Sequence, residues 1–460
     1  MTGPARIDLA GWDARYRELA ADLREPAAYA GPLRRHVDEG GDLRLLTLLF
    51  DNSAASHRLW NFLLSEEDRL HAARTAGSRI VGTMKDLGTV PVLAYAWPEL
   101  VAFYPDGAWW TPCVMELSDG LLGIADQMGL DESFCPVRAM VGAFVTENHF
   151  PVPDLLICSA GAVCDDFSAI AQRLAGLGYP ILWWEMPVRR PPDPGEPAAT
   201  LPTGFTAPAE QVEIVRTELA RLRDALADLA GRELAPDALA ESIRRANRFR
   251  ATLAELRRLV FTAPAAPLPA LEMLITEMLA IHFCSDPAEA QLVVDDLLAE
   301  VRRRVEAGQG VLDPAAARLF WVNPVADMQV MNLLETCGGR LCGSDFLLGH
   351  ALEPIDENLP PLDALARCAL GDPMVGSSAD RAERVVRDAE AFGAEGVVVS
   401  RIPGASHCAF EGEVIASAVR ERLDLPVLEI EVPPLAEPVR PALRSRLEAL
   451  VETVHSRREA

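Results

Sequence analysis

The chain has 460 residues, half of them hydrophobic, and carries 43 Lys and Arg against 68 Asp and Glu, a formal net charge of -25. This length predicts two or three domains with separate cores. The negative charge disfavours binding to nucleic acid or to anionic membranes, although arginines or helix N-termini could still hold an anionic ligand locally.

Compartment and redox state are suggested by the apolar runs and the cysteines. No apolar run reaches the roughly 18 to 20 residues that span a bilayer, and the first residues lack the basic-then-apolar order of a secretory signal. The nine cysteines are scattered rather than clustered. We therefore expect a cytoplasmic protein with reduced thiols, most of them buried as small apolar side chains.

Short apolar runs alternate with amphipathic segments along much of the chain, which predicts parallel β-sheets covered by helices on both faces. The predicted strands are RIVGTM (79–84), DLLIC (154–158), PILWW (180–184), RLFWV (318–322), GRLCG (339–343), GVVVS (396–400) and PVLEIEV (426–432).

The middle of the chain, from about 205 to 312, has a helical rather than a strand pattern. Leu219, Leu222, Leu226 and Leu229 share one predicted helix face. A proline-rich segment at 189–204 precedes this region, and another at 262–270 interrupts it. The sequence thus predicts an N-terminal helical segment (1–74), a first α/β domain (75–200), a helical region (201–314) and a second α/β domain (315–460).

The two predicted α/β domains contain similar segments. DLLICSAGAVCDDFSAIAQRL and GVVVSRIPGASHCAFEGEVI each read as a buried strand, a loop of small residues with a cysteine, and a helix. Cys164 and Cys408 stand at equivalent points, although chance coincidence in two βαβ units is an alternative. At the carboxyl ends of parallel strands both thiols would face the ligand crevice, and helix N-termini would favour the metal-binding thiolate.

A third cysteine, Cys135 in DESFCPVRAMVGAF, precedes a helical pattern just before one of these strands. Cys158 and Cys342 read instead as core residues, and Cys337 with Cys342 is a weak ligand pair. Cys113, Cys284 and Cys368 lack a preceding loop of small residues.

With these segments in view, the sequence resembles the subunits of the 2-hydroxyacyl-CoA dehydratase and benzoyl-CoA reductase family from about residue 79 to 434. The resemblance is carried by WPELVAFYPDG, DESFCPVRAMVGAF, VPDLLICSAGAVCDDFSAIAQRL, YPILWWEMP, LLETCGGRLCGSDFLLG and GVVVSRIPGASHCAFEGEVI. The spacing of Cys135, Arg138 and Gly142 is specific to the family's pattern.

The resemblance implies two flavodoxin-like domains joined by a helical region, with Cys135, Cys164 and Cys408 holding a 4Fe-4S cluster that has one open iron. It implies one-electron, ketyl-radical chemistry on an acyl-CoA thioester, leading to dehydration or to reduction. Glu99 matches an acidic position of the family near the substrate.

Acid-base partners are sought beside the cysteines. His407 and Glu411 flank Cys408 and are, with Glu99, the proposed proton-transfer residues; for each, an ordinary surface or structural role is the alternative. His149 is weighed in the same way.

Two departures from the family pattern bear on substrate contacts. Asn323 stands before Pro324 where glycine is usual, and His350 stands where arginine is common.

Partners are implied by what the sequence lacks. It contains no GxxxxGK[ST] phosphate loop and no CxxCxxC ferredoxin run, so a separate ATP-dependent activator is expected to supply electrons. The resemblance also implies a homologous second subunit or a homodimer. Two alternatives stay open: a non-catalytic subunit that relays electrons through its cluster, and a zinc or reduced-thiol protein without a redox role.

Overall fold

The computed structural model describes residues 3–19, 47–84, 88–105, 117–147, 150–161, 164–282, 285–405, 411–434 and 437–460. The described part of the N-terminal segment has two short paired strands and three helices, which are β1 (Arg6–Ile7), α1 (Leu9–Leu19), β2 (Phe50–Asp51), α2 (Ala54–Leu64) and α3 (Glu66–Thr75).

A first α/β unit follows, in which four parallel strands run in the order β4-β3-β5-β6. Its elements are β3 (Arg79–Met84), α4 (Val90–Ala94), β4 (Leu100–Phe103), α5 (Leu117–Gln127), α6 (Ala139–Thr146), β5 (Leu155–Gly161), α7 (Asp165–Gly176) and β6 (Ile181–Met186). The strand order is that of flavodoxin-like folds, whose ligand crevice lies beyond the carboxyl ends of the strands.

The middle of the chain is a short antiparallel hairpin followed by four long helices. They are β7 (Ala198–Thr200), β8 (Thr206–Pro208), α8 (Ala209–Ala230), α9 (Ala238–Thr262), α10 (Ala270–His282) and α11 (Pro287–Glu306). Leu219, Leu222 and Leu226 are fully buried, as the helical periodicity predicts. The proline-rich segment at 262–270 separates α9 from α10, because proline cannot continue a helix from within.

A second α/β unit completes the fold with parallel strands in the order β10-β9-β11-β12. Its elements are β9 (Ala317–Val322), α12 (Gln329–Thr336), β10 (Gly339–Asp345), α13 (Gly349–Leu352), α14 (Pro361–Leu370), α15 (Ser378–Ala391), β11 (Gly396–Arg401), α16 (Gly412–Leu423), β12 (Val427–Glu431) and α17 (Arg440–Glu459). Central strands such as β11 are buried on both faces, which explains their continuous apolar runs.

The predicted fold class is confirmed, and the ends of each of the seven predicted strands lie within three residues of those of a strand in the structure. The prediction missed β4, whose apolar run LVAF is only four residues long. The domain boundaries stay a prediction. None of the helices in the described ranges is both long and apolar enough to cross a membrane.

A buried polar network ties the N-terminal segment to the helical region. Arg304 on α11 donates to both Asp51 carboxylate oxygens at 2.7 and 3.1 Å. Glu272 on α10 accepts a 2.9 Å hydrogen bond from the Asp51 N–H and one from the Trp60 indole. Burial, reinforced by the Asp51 charge, raises the pKa of Glu272 to about 8. The described part of the N-terminal segment is therefore packed into the folded core.

Candidate functional site

The motif around Cys135 links a loop to two packed helices. Cys135 precedes a short 3-10 turn, Pro136–Arg138, that leads into α6. The buried Arg138 guanidinium donates to the Phe134 carbonyl at 3.1 Å and pairs with Asp126 on α5 at 3.3 Å. Arg138 thus fixes the residue immediately before the cysteine.

Gly142 completes this motif by letting α5 and α6 approach closely. A β-carbon at Gly142 would lie 2.6 Å from the Leu121 carbonyl oxygen, closer than packed atoms come. The family-type spacing of Cys135, Arg138 and Gly142 therefore has a structural explanation. The arginine fixes the loop, and the absence of a side chain at the glycine allows α6 to pack closely against α5.

Cys164 stands at the carboxyl end of β5, immediately before the first residue of α7, as the sequence predicts. Its sulfur lies 3.6 Å from Asp166 Oδ2, while Asp166 Oδ1 accepts a 3.2 Å hydrogen bond from the Cys135 N–H. Cys164 is buried and Cys135 is half-buried, and neither is in a disulfide. One carboxylate thus contacts both predicted ligand residues.

Cys408 and His407 lie outside the described residues, but the chain on either side of them is described. Gly404, which follows β11, packs against the loop before Cys135: a β-carbon there would lie 2.5 Å from the Phe134 carbonyl oxygen and 2.8 Å from that of Glu132. The loop that leads to Cys408 is therefore in contact with the loop that leads to Cys135.

Glu411, three residues after Cys408, is buried and ion-paired. Arg381 on α15 donates to Glu411 Oε2 at 2.6 Å, to Asp345 Oδ2 at 2.7 Å and to Asn323 Oδ1 at 2.6 Å. One guanidinium thus joins the ends of β9 and β10 to the start of α16. This arrangement gives Glu411 a structural role, and its part in proton transfer stays a prediction.

Asn323 explains one departure from the family pattern. Its φ is +78°, in the left-handed region where glycine is favoured and asparagine is the best-tolerated alternative. The asparagine side chain accepts from Arg381 and donates to the Ser400 carbonyl at 2.5 Å. The usual glycine is thus replaced by a residue that keeps the backbone conformation and adds two hydrogen bonds.

Glu99 does not lie with the cysteines. It immediately precedes β4, and its carbonyl accepts from the Arg79 N–H at the start of β3. In a parallel sheet this is the amino edge, roughly 15 to 20 Å from the carboxyl edge at about 3.3 Å per residue. Its half-exposed carboxylate pairs with Arg232 at 3.1 Å. Nothing in this placement supports proton transfer by Glu99 at the Cys135 and Cys164 site.

The other described cysteines are buried apart from this site. Cys158 lies inside β5 and Cys342 inside β10, as predicted, and Cys368 lies in α14. Burial raises the pKa of Cys342 to about 12 and that of Cys337 to about 11, so both remain thiols at neutral pH. The thiolate form that binds metals is therefore disfavoured at both residues.

The remaining predicted residues are divided between buried and undescribed positions. His350 is buried at the start of α13. His149, Cys113 and Cys284 lie outside the described residues. Within the described ranges, no group of three or more His, Cys, Asp or Glu side chains could hold a metal ion. Cys135 and Cys164 fit two positions of an iron–sulfur cluster by their chemistry, because thiolates are its usual ligands.

Two residues of this site were not predicted from the sequence. Asp166 was visible only as an acidic residue two places after a predicted ligand, which is an ordinary feature of a helix start. Arg381 contacts residues 58, 36 and 30 positions away, so no local pattern could reveal it.

No curated protein matches the chain, whereas one protein family does. The family described as 2-hydroxyglutaryl-CoA dehydratase, D-component, matches residues 96–454, a span that begins within the first α/β unit, after β3 and α4, and covers the helical region and the second α/β unit. This span overlaps most of the predicted resemblance at 79–434 and continues into α17. The chain belongs to the 2-hydroxyglutaryl-CoA dehydratase D-component family.

Proposed function

We propose that this chain is the iron–sulfur subunit of a 2-hydroxyacyl-CoA dehydratase, with Cys135, Cys164 and Cys408 as the ligands of a 4Fe-4S cluster. The family supports a dehydratase-type subunit. The cluster proposal rests on three loops that come together. The loops of Cys135 and Cys164 both contact Asp166, and Gly404, in the loop that leads to Cys408, packs against Phe134.

Such a cluster would supply an open iron for the thioester carbonyl and a single electron that lets the α-hydroxyl leave as hydroxide; the β-proton is then acidic enough to remove, and the electron is returned. The chain's own residues hold the geometry. Arg138 and Asp166 fix the backbone around Cys135, and Arg381 fixes the helix start that follows Cys408. His407 and Glu411 remain the proposed proton-transfer residues because they flank Cys408 in sequence.

Partners follow from the family name, which describes one component of an enzyme. We infer an acyl-CoA substrate, a homologous second subunit and a separate ATP-dependent activator. A subunit that relays electrons without binding substrate is the second candidate, since a component need not carry the substrate site. Activity of the isolated chain, compared with that of the reconstituted pair, on a panel of 2-hydroxyacyl-CoA thioesters with activator separates the two.

Metal analysis after anaerobic purification tests the cluster directly. We expect brown protein with about four irons and four sulfides per chain. Colourless protein with one zinc would instead support the alternative of a zinc site with three thiolates.

The ligand assignment is tested with a matched pair of variants. Cys164→Ser should lose the iron, whereas Cys337→Ser, which changes a buried thiol at the end of α12, should keep it. Equal iron in both variants would contradict the assignment.

A further inference from the structure

Asp166 connects two segments that are far apart in sequence. It is the second residue of α7, it is 6% exposed, and its two oxygens face Cys135 N at 3.2 Å and Cys164 Sγ at 3.6 Å. A buried carboxylate is costly unless it is hydrogen-bonded, so the position of this side chain depends on the groups around it.

The adjacent residue shows what an ordinary acid at this helix start does. Asp165 and Asp166 both lie in the first turn of α7, where a negative charge favourably meets the helix dipole. Asp165 is exposed to solvent and can serve that purpose alone. Asp166 is buried and accepts a hydrogen bond from the N–H of Cys135, 31 residues earlier in the chain.

We propose that Asp166 is a positioning residue, which holds the Cys135 and Cys164 loops at one point and keeps a negative charge beside the cluster. The inference rests on the proposed function, since the charge acts on the cluster of that site. The residue has two separable effects: its oxygen atoms fix the loops, and its charge disfavours adding an electron to the cluster.

The charge has a direct consequence for the electron that the cluster donates. A nearby negative charge destabilises the reduced cluster, so the midpoint potential falls and the reduced cluster becomes a stronger electron donor. This direction suits an enzyme that must place an electron on a thioester carbonyl, which is difficult to reduce.

Asp166→Asn separates the two effects, because the amide oxygen still accepts from Cys135 N–H while the charge is lost. We expect it to keep its iron and to shift the midpoint potential upward in an anaerobic redox titration. Asp165→Asn removes an identical charge one residue away in solvent, where screening is strong, and should leave the potential unchanged.

Asp166→Ala removes both effects and should lose most of the iron. A readout independent of metal is bridging of Cys135 to Cys164 by a short bifunctional thiol reagent in metal-free protein. We expect roughly tenfold slower bridging in Asp166→Ala than in the wild type, Asp166→Asn or Asp165→Asn, because the alanine variant alone lacks an oxygen that accepts the Cys135 N–H hydrogen bond.

The outcomes separate this inference from the proposed function. Equal potentials in iron-loaded Asp166→Asn and wild type, or equal shifts in Asp165→Asn and Asp166→Asn, would overturn the charge effect. Unchanged bridging in a folded Asp166→Ala would overturn the positioning effect. Wild-type protein without iron would overturn the proposed function and the charge effect together, whereas slow bridging in Asp166→Ala would still support positioning.

Discussion

The two α/β units use the same hydrogen bonds at the amino edges of their sheets. Before β5, Asp154 donates its N–H to the Ile80 carbonyl and accepts from the Ile80 N–H, each at 2.8 Å. Before β11, Glu395 makes the same pair with Arg318 at 2.8 and 2.9 Å. The similarity predicted from two cysteine-containing segments thus extends to an edge that contains no cysteine.

The outer strands are covered in the same way. Trp183 on β6 and Glu429 on β12 hold equivalent register positions, and each carbonyl accepts from an arginine of the following helix, Arg221 on α8 or Arg446 on α17. An exposed strand edge is a site for unwanted pairing, and these arginines occupy it.

The units differ at their carboxyl edges. The first has a buried anion, Asp166, that contacts two predicted ligand residues, while the second has a buried cation, Arg381, that joins three strand and helix ends. The shared parts of the two units hold the sheets together, and the parts that differ lie where ligands bind in such folds. We propose that the chemistry of the protein takes place at these carboxyl edges.

Arg381→Met should have the largest effect of the variants that test this comparison. It leaves Asp345 and Glu411 buried without their cation, for which we expect a loss of about 3 to 5 kcal/mol in the free energy of unfolding. Iron should also be lost, since Glu411 begins the helix after Cys408. Chemical denaturation and iron analysis measure both.

The control is Arg387→Met on the same helix, α15. Arg387 is half-exposed and pairs only with Asp388 among the ion pairs of the described chain, so its loss should cost no more than about 0.5 kcal/mol. Similar losses in both variants would mean that the Arg381 network is not what stabilises this edge.

The buried Glu272, which contacts the N-terminal segment, should make the folded protein less stable as the pH rises from about 4.5 to 8. Because its folded pKa is raised to about 8, the folded state binds more protons than the unfolded state from about pH 4.5 to 8. Stability is therefore fully present below this window and falls as the pH rises, by a few kcal/mol at about 1.4 kcal/mol for each pH unit. Burial also raises the pKa of Glu335 to about 7, so Glu335 adds to the same decline in stability.

Glu272→Gln cannot ionise and should flatten this decline in denaturation measured from pH 5 to 9. The partly exposed Glu255, paired with Arg302, offers the control: Glu255→Gln should leave the pH profile as it is. A wild type that is equally stable at pH 5 and pH 9 would contradict a protonated Glu272.

Gly404→Ala tests the contact between the units. The substitution strains a backbone at φ +78° and drives a methyl group into the Phe134 carbonyl. Gly393→Ala is the control. The φ of Gly393 is +64°, and a β-carbon there would lie 3.7 Å from its nearest atom, on the Arg318 side chain, so the variant gives comparable strain without the clash. We expect strain to lower the free energy of unfolding by about 1 to 2 kcal/mol in both variants. The clash should lower it by about 1 to 3 kcal/mol more in Gly404→Ala. Iron should be lost only in Gly404→Ala.

Asp154→Asn and Glu395→Gln should have the smallest effects. Both side chains are partly exposed, so each change should cost about 1 kcal/mol at pH 7 without loss of iron. Burial opposes ionisation of Glu395, but hydrogen bonds from Arg458 and the Arg318 N–H lower its pKa overall. Its contribution is therefore present above pH 4.5 and lost as the pH falls, so the difference between wild type and Glu395→Gln should shrink below pH 4.5. Unequal losses at pH 7 would break the equivalence.

The sequence predicted the sheets well because buried parallel strands are written as continuous apolar runs such as GVVVS and RLFWV. It also predicted that Cys164 begins a helix at a strand end. It could not predict that Asp166 faces Cys135 or that Arg381 joins Asn323, Asp345 and Glu411, because those contacts depend on how distant segments pack. The left-handed backbone of Asn323 was hidden for the same reason.

The proposed cluster requires cysteines from both α/β units to meet at one point. Metal-free protein can be bridged with a short bifunctional thiol reagent and the joined peptides mapped. We expect peptides in which Cys408 is joined to Cys135 or Cys164. Bridges between Cys135 and Cys164 alone, with Cys408 modified singly, would contradict it.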